Sequence, residues 1–84
     1  MTPLDFITIV ALVCGKHRSS VSSWGRTPKR NREVGGSPNS LHMLWIGCDI
    51  VLDVMMKNAE LEEDCGRFGL TAIYEKDHYH LQPK

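Results

Sequence analysis

The chain carries no excess charge of either sign: ten Lys and Arg residues balance ten Asp and Glu across 84 residues. Nothing global therefore points to a nucleic-acid or anionic-membrane partner. Its three cysteines, Cys14, Cys48 and Cys65, are odd in number and include no Cys-x-x-Cys pair. A disulfide framework or a cysteine zinc finger is therefore not expected, and reduced thiols in a cytosolic chain are the simplest expectation. No apolar run approaches the ~20 residues needed to span a bilayer. The opening PLDFITIVALVC lacks a basic leader, carries Asp5, and has Val13 where a lipoprotein cleavage site needs a small residue. No signal peptide is expected, and the location expected is cytoplasmic. Repeats, linkers and low-complexity tracts are also missing. Gly35-Gly36 is not followed by Gly-Lys-Ser/Thr, so it reads as a turn and not as a phosphate loop.

What remains is one small domain, residues 1–84, whose core is thin. A chain of this length buries only about 60–65% of the surface its unfolded form exposes. A bound metal would help stabilise it. The opening segment reads as a core helix, with Thr2 as N-cap, Pro3 at the first helical position and Asp5 in the first turn. A strand is predicted over about Arg18 to Trp24, then a short helix begun by Thr27 and Pro28 and ended at Gly35-Gly36. LWIGCDIVLD reads as a buried strand finishing near Leu52, with Cys48 turned to the core. Asp53 is expected to cap a helix running to about Cys65. LTAIYE and HYHLQ are two further strands joined tightly through Lys76 and Asp77. The fold class expected is α+β: a mainly antiparallel sheet with two or three helices.

The charges are segregated. Six of the ten basic residues lie between Lys16 and Arg32, and Glu60, Glu62, Glu63 and Asp64 form an acidic cluster. Both read as solvated faces, and His17 as a surface residue. A basic-faced nucleic-acid binder is the minority reading, and it predicts a steep salt dependence of DNA affinity. The other histidines are more suggestive. His42, Asp49 and one of His78 and His80 would supply three zinc ligands, leaving a fourth position for water. Asp49 stands seven positions after His42. On a helix the two would lie ~10 Å apart along the axis, and on one straight strand they would face opposite ways. A shared ion needs a bend between them, for which Gly47 is available. Spacing permits this site without compelling it, and the plainer alternative is a core histidine with an exposed C-terminal pair. Asp49 is harder to dismiss, because a carboxylate entering an apolar strand costs several kcal/mol unless paired or metal-bound.

RTPKRNREVGGSPNSLH, the aspartate seven positions after His42, and the final DHYHLQ together resemble the zinc D-Ala-D-Ala peptidases. That group includes DD-carboxypeptidases, vancomycin-resistance dipeptidases and phage L-alanyl-D-glutamate endolysins, with hedgehog domains as distant relatives. The family pattern is an arginine at a strand end, then S-x-H-x-x-G-x-A-x-D, then a late D/E-x-x-H, often D-H-x-H. Arg26, Ser40, His42, Asp49, Asp77, His78 and His80 fall on it in order, over about residues 20–82. The resemblance implies a zinc-dependent hydrolase of the hedgehog-like fold, acting on peptidoglycan stem peptides. His42, Asp49 and His80 would be the zinc ligands. Asp77 would be the general base and His78 an oxyanion helper. Arg26, whose fork of donors suits a carboxylate or oxyanion, would bind substrate and stabilise developing charge. Ser40 and Trp45 would line the substrate side. The family glycine is Trp45 here, and the family alanine is Gly47. If Asp77 points away, Glu75 is a poorer substitute, or the domain holds zinc without catalysing, as a phage structural or wall-binding component. A monomer is expected, with neither nucleic acid nor membrane as partner, and release to the wall by a partner such as a holin. Only QPK is left as a tail.

Overall fold

The computed structural model describes residues 1–84. Its first element, helix α1 (Pro3–His17), begins as its sequence dictates. The Thr2 side chain accepts the Asp5 N–H, and Pro3 takes a position where a missing N–H costs nothing. It ends at Arg18, which adopts a left-handed conformation and returns its N–H to the Cys14 carbonyl. The chain then runs through strand β1 (Ser19–Ser23), helix α2 (Pro28–Glu33), a 3-10 turn (Leu41–Leu44) and strand β2 (Cys48–Leu52). Helix α3 (Ala59–Arg67), strand β3 (Leu70–Tyr74) and strand β4 (Tyr79–Pro83) complete it. The four strands form one antiparallel sheet in the order β1-β2-β4-β3. The α+β expectation is borne out, with three α-helices and a fully antiparallel sheet.

Alternation along the central strands divides the molecule into two faces. Cys48, Ile50 and Leu52 of β2, with Tyr79 and Leu81 of β4, are buried together with Phe6, Val10 and Val13 of α1 and Leu61 and Cys65 of α3. Fully burying side chains such as Phe6, Ile50 or Leu61 contributes roughly 1.5–3 kcal/mol each. The intervening residues Asp49, His78, His80 and Gln82 therefore face the other way. Asp49 pairs directly with His80 across β2 and β4, and with Ser23 on the β1 side. Between Val21 and Ser23 the β1–β2 register slips, a bulge of the kind that re-aims a side chain beside a site.

Four expectations are corrected. Asp53 caps no helix: its N–H closes the end of the β1–β2 ladder on the Arg18 carbonyl, and α3 starts six residues later. Asn58 is the cap, its Oδ1 accepting the Leu61 N–H, and Val54, inside the expected helix, is exposed and lies before α3. His17 is not a surface residue. Its buried ring meets the Asp64 carboxylate at 2.7 Å, joining the end of α1 to α3. Asp64 accordingly leaves the solvated acidic face: it is 4% exposed, and its other oxygen accepts from Arg67. Nor is QPK a free tail. Gln82 and Pro83 belong to β4, and the Lys84 N–H bonds the Gly69 carbonyl.

The basic stretch is largely neutralised within the chain. Lys16 pairs with Asp64, Lys29 and Arg30 with Glu33, and Arg26 with Asp49.

Candidate metal centre

His42 reaches Asp49 because the segment between them doubles back. The Ser40 hydroxyl caps the 3-10 turn by accepting the His42 N–H at 3.2 Å. Trp45 ends the turn in a left-handed conformation, φ 61°, and the Trp45 and Ile46 N–H groups return to the His42 and Leu41 carbonyls. Gly47 then passes so close that a Cβ would lie 2.8 Å from the His42 nitrogen and 2.9 Å from the Leu41 carbonyl carbon. That close approach is the bend the seven-residue spacing demands. It carries His42 off the strand and onto the face that Asp49 shares with His80.

The result is a cluster of three side chains whose ligand atoms all lie within 4.8 Å of one another. Asp49 Oδ1 is 3.3 Å from His42 Nε2 and 3.1 Å from His80 Nδ1. Two ligands of one tetrahedral ion with ~2.0–2.1 Å bonds stand ~3.4 Å apart, so these separations fit a shared ion. His42 is 3% exposed, and Asp49 and His80 are half-buried.

The outer contacts fix which nitrogen of each ring faces inward. His42 Nδ1 lies 2.7 Å from the Trp24 carbonyl, which can only accept, so Nδ1 carries the hydrogen. His80 Nε2 lies 2.9 Å from Gln82 Oε1, to which it donates in the tautomer that leaves Nδ1 free. The neutral rings therefore aim the lone pairs of His42 Nε2 and His80 Nδ1 at a carboxylate that is itself only an acceptor. With both rings neutral in these tautomers, three acceptors converge with no donor among them. A cation satisfies all three; otherwise protons must. This is the arrangement in which an outer partner sets tautomer and ring orientation for a metal ligand. Burial pushes the Asp49 carboxyl up, but with a proton on each facing nitrogen its hydrogen bonds from His42 and His80 outweigh this and hold it well below the usual carboxylate range. The same bond to Asp49 raises the His80 pKa against the opposing effect of burial.

The remaining sequence-singled residues fall around this cluster. Arg26 approaches the second oxygen of Asp49, Oδ2, at 3.6 Å. His78 shares the sheet face, its Nε2 3.9 Å from Asp49 Oδ1. Asp77 lies in the β3–β4 turn with its side chain 87% exposed, and its Oδ1 accepts from His78 Nδ1 at 2.7 Å. Ser40 holds the 3-10 turn through its hydroxyl. Trp45 is 44% exposed and packs edge-to-face on Trp24, whose Nε1–H donates to the Trp45 carbonyl.

Sequence reasoning overlooked three supporting residues: Gln82, Ser23 and Asn31. Gln82 was legible, because it lies two positions from His80 and so shares its strand face. Asn31 is the only uncharged residue between Lys29 and Glu33, and that was its only signal. The chain's two larger concavities, about 370 Å³ each, are lined elsewhere, one by residues that include Lys16, Arg18 and Leu52, the other by residues that include Pro28, Arg32 and Met43. None of the three concavities is lined by His42, Asp49 or His80.

Comparison with known proteins returns no matching family model, curated protein or solved structure. No helix is long and apolar enough to cross a membrane.

Proposed function

We propose that this protein is a zinc-dependent peptidase acting on peptidoglycan stem peptides, with the ion held by His42, Asp49 and His80. The observation that carries the metal half of this reading is the convergence of three acceptors at separations that fit one ion. Two imidazoles and a carboxylate are a donor set suited to zinc, with a fourth position left for water. The resemblance of Arg26, Ser40, His42, Asp49, Asp77, His78 and His80 to the D-Ala-D-Ala peptidase pattern supports the peptidase half. Zinc bound there would lower the pKa of a water toward ~7 and polarise a peptide carbonyl.

The roles expected of Asp77 as base and His78 as oxyanion helper are revised, because Asp77 is exposed and meets the cluster only through His78: proton handling falls to the two as a pair. Asp77 accepts the Nδ1–H of His78, which leaves His78 Nε2 as an acceptor facing the cluster. The ring can take a proton from an attacking water and return it to the leaving amine, with Asp77 stabilising the imidazolium. Arg26 contributes guanidinium donors beside Asp49, suited to a substrate carboxylate or a developing oxyanion. Trp45 offers an exposed ring on the side of the 3-10 turn.

Zinc-loaded protein is expected to cleave purified muropeptides, with activity lost on chelation and in His80→Ala. Zinc at 100 times its dissociation constant stabilises the fold by about 2.7 kcal/mol. In a domain of this size that raises Tm by roughly 11–22 °C. Substoichiometric zinc, or full activity in His80→Ala, would refute the proposal. The exposure of Asp77 favours a second reading, a zinc-stabilised binding domain without turnover. It predicts the same thermal shift with no cleavage of any muropeptide.

A further inference from the structure

Asp49 divides its two oxygens between different partners. Oδ1 faces both histidines, whereas Oδ2 faces the Arg26 guanidinium. Carboxylate torsions are soft and two-fold, so nothing intrinsic to aspartate fixes this division. Arg26 is itself held at three points. Its backbone N–H donates to the His42 carbonyl at 3.0 Å, its Nη2 to the Ser23 hydroxyl at 3.4 Å, and its Nη1 to Asn31 Oδ1 at 3.3 Å.

Asn31 is the anchor of this set. It is 2% exposed, and its amide uses both ends: Oδ1 accepts from Arg26 while Nδ2 donates to the Ser37 carbonyl at 2.9 Å. Its own carbonyl accepts the Gly36 N–H at 2.8 Å. A Cβ at Gly36 would fall 2.1 Å from Asn31 Oδ1 and 3.0 Å from Arg26 Nη1, so the amide needs a residue without a side chain at Gly36. A buried polar side chain with each end satisfied has one available orientation.

We infer that Asn31 is a positioning residue for the metal centre: through Arg26 it holds Asp49 as a one-oxygen ligand, presenting Oδ1 to the ion. The inference rests on the metal reading above and is independent of the peptidase reading. Outer partners of this kind are worth roughly 10–100-fold in metal affinity. Asn31→Ala keeps the Arg26 charge and removes only its anchor, so the change it reads is orientation.

Zinc affinity measured by competition with a chromophoric chelator, with the visible spectrum of the cobalt-loaded protein as a coordination readout, tests this. Asn31→Ala is expected to bind zinc roughly 10–100-fold more weakly, with an altered cobalt spectrum. In an Arg26→Ala background the same substitution is expected to add nothing, because the two act as one unit. Asn31→Asp keeps the acceptor for Arg26 but loses the donor to Ser37. It is expected to retain zinc affinity within a few-fold while its Tm falls, which separates positioning from loop stability. Additive losses in the double variant, an Asn31→Asp as weak as Asn31→Ala, or unchanged affinity in Asn31→Ala each overturn the inference while leaving the metal reading intact. Wild-type protein that takes up neither ion overturns both.

Discussion

Replacing Gly47 with alanine tests how the site is assembled. Ordinary van der Waals contact for a Cβ begins near 3.4 Å. At Gly47 the new methyl would meet the His42 nitrogen at 2.8 Å and the Leu41 carbonyl carbon at 2.9 Å, shortfalls of 0.6 and 0.5 Å. Both atoms are backbone, held by the Ser40 cap and by the turn's own hydrogen bonds, so neither can swing aside as a flexible side chain would. Overpacking of this kind costs about 1–3 kcal/mol, which lowers Tm by roughly 4–24 °C in a domain this small. Because the displaced atoms belong to His42 and its neighbour, metal affinity should fall as well. Gly15→Ala is the matched control. Gly15 lies inside α1 with nothing within 4 Å of its would-be Cβ, so alanine there should stabilise by about 0.5–1 kcal/mol through helix propensity. Differential scanning calorimetry and zinc titration of both variants provide the comparison. If Gly47→Ala melts and binds zinc as the parent does, the account of the bend is refuted.

Other consequences concern the opposite face of the sheet. The Tyr79 hydroxyl donates to Glu62 at 2.6 Å and accepts the Asn58 N–H, and burial pushes its pKa up to about 12 from the usual 10. A raised pKa means full stability below pH 10, where the phenol is neutral in both states, and loss as pH rises from 10 through 12. Urea melts across that range should show the decline, with the Tyr79→Phe variant lacking this component. Burial also raises the Cys48 thiol to about 12 and Cys65 to about 11. Both should resist a thiol reagent at pH 8 in native protein and react in denaturant. Rapid native labelling of either would contradict the core assignment. His17→Leu should lower Tm, since it removes a 2.7 Å partner from buried Asp64. A melting curve unchanged by this substitution would show the contact to be idle.

Most of the fold was legible because its signals are local. Thr2-Pro3 and Thr27-Pro28 start helices by capping chemistry, and Lys76-Asp77 marks the turn that pairs β3 with β4. The α3 boundary failed because Asp53 and Asn58 are both competent caps five residues apart, and Val54 mimics the helical period without being buried. The His17–Asp64 pair failed for a different reason. Its partners lie 47 residues apart and carry no local pattern. The His42-Asp49-His80 cluster was legible as a set of residue types. The device that assembles it, a left-handed Trp45 followed by the close passage of Gly47, was visible only as a spacing that neither a helix nor a straight strand could satisfy. Asn31 was hidden in one of the two most highly charged stretches of the chain, where a neutral amide reads as one more solvated residue.

The central claim is that one ion is shared by His42, Asp49 and His80. An anomalous-scattering map collected at the zinc edge, on crystals of protein supplied with one equivalent of zinc, tests it most directly. The account predicts a single peak about 2.0–2.2 Å from His42 Nε2, Asp49 Oδ1 and His80 Nδ1. No peak among these three side chains, or zinc bound only elsewhere on the chain, would contradict it.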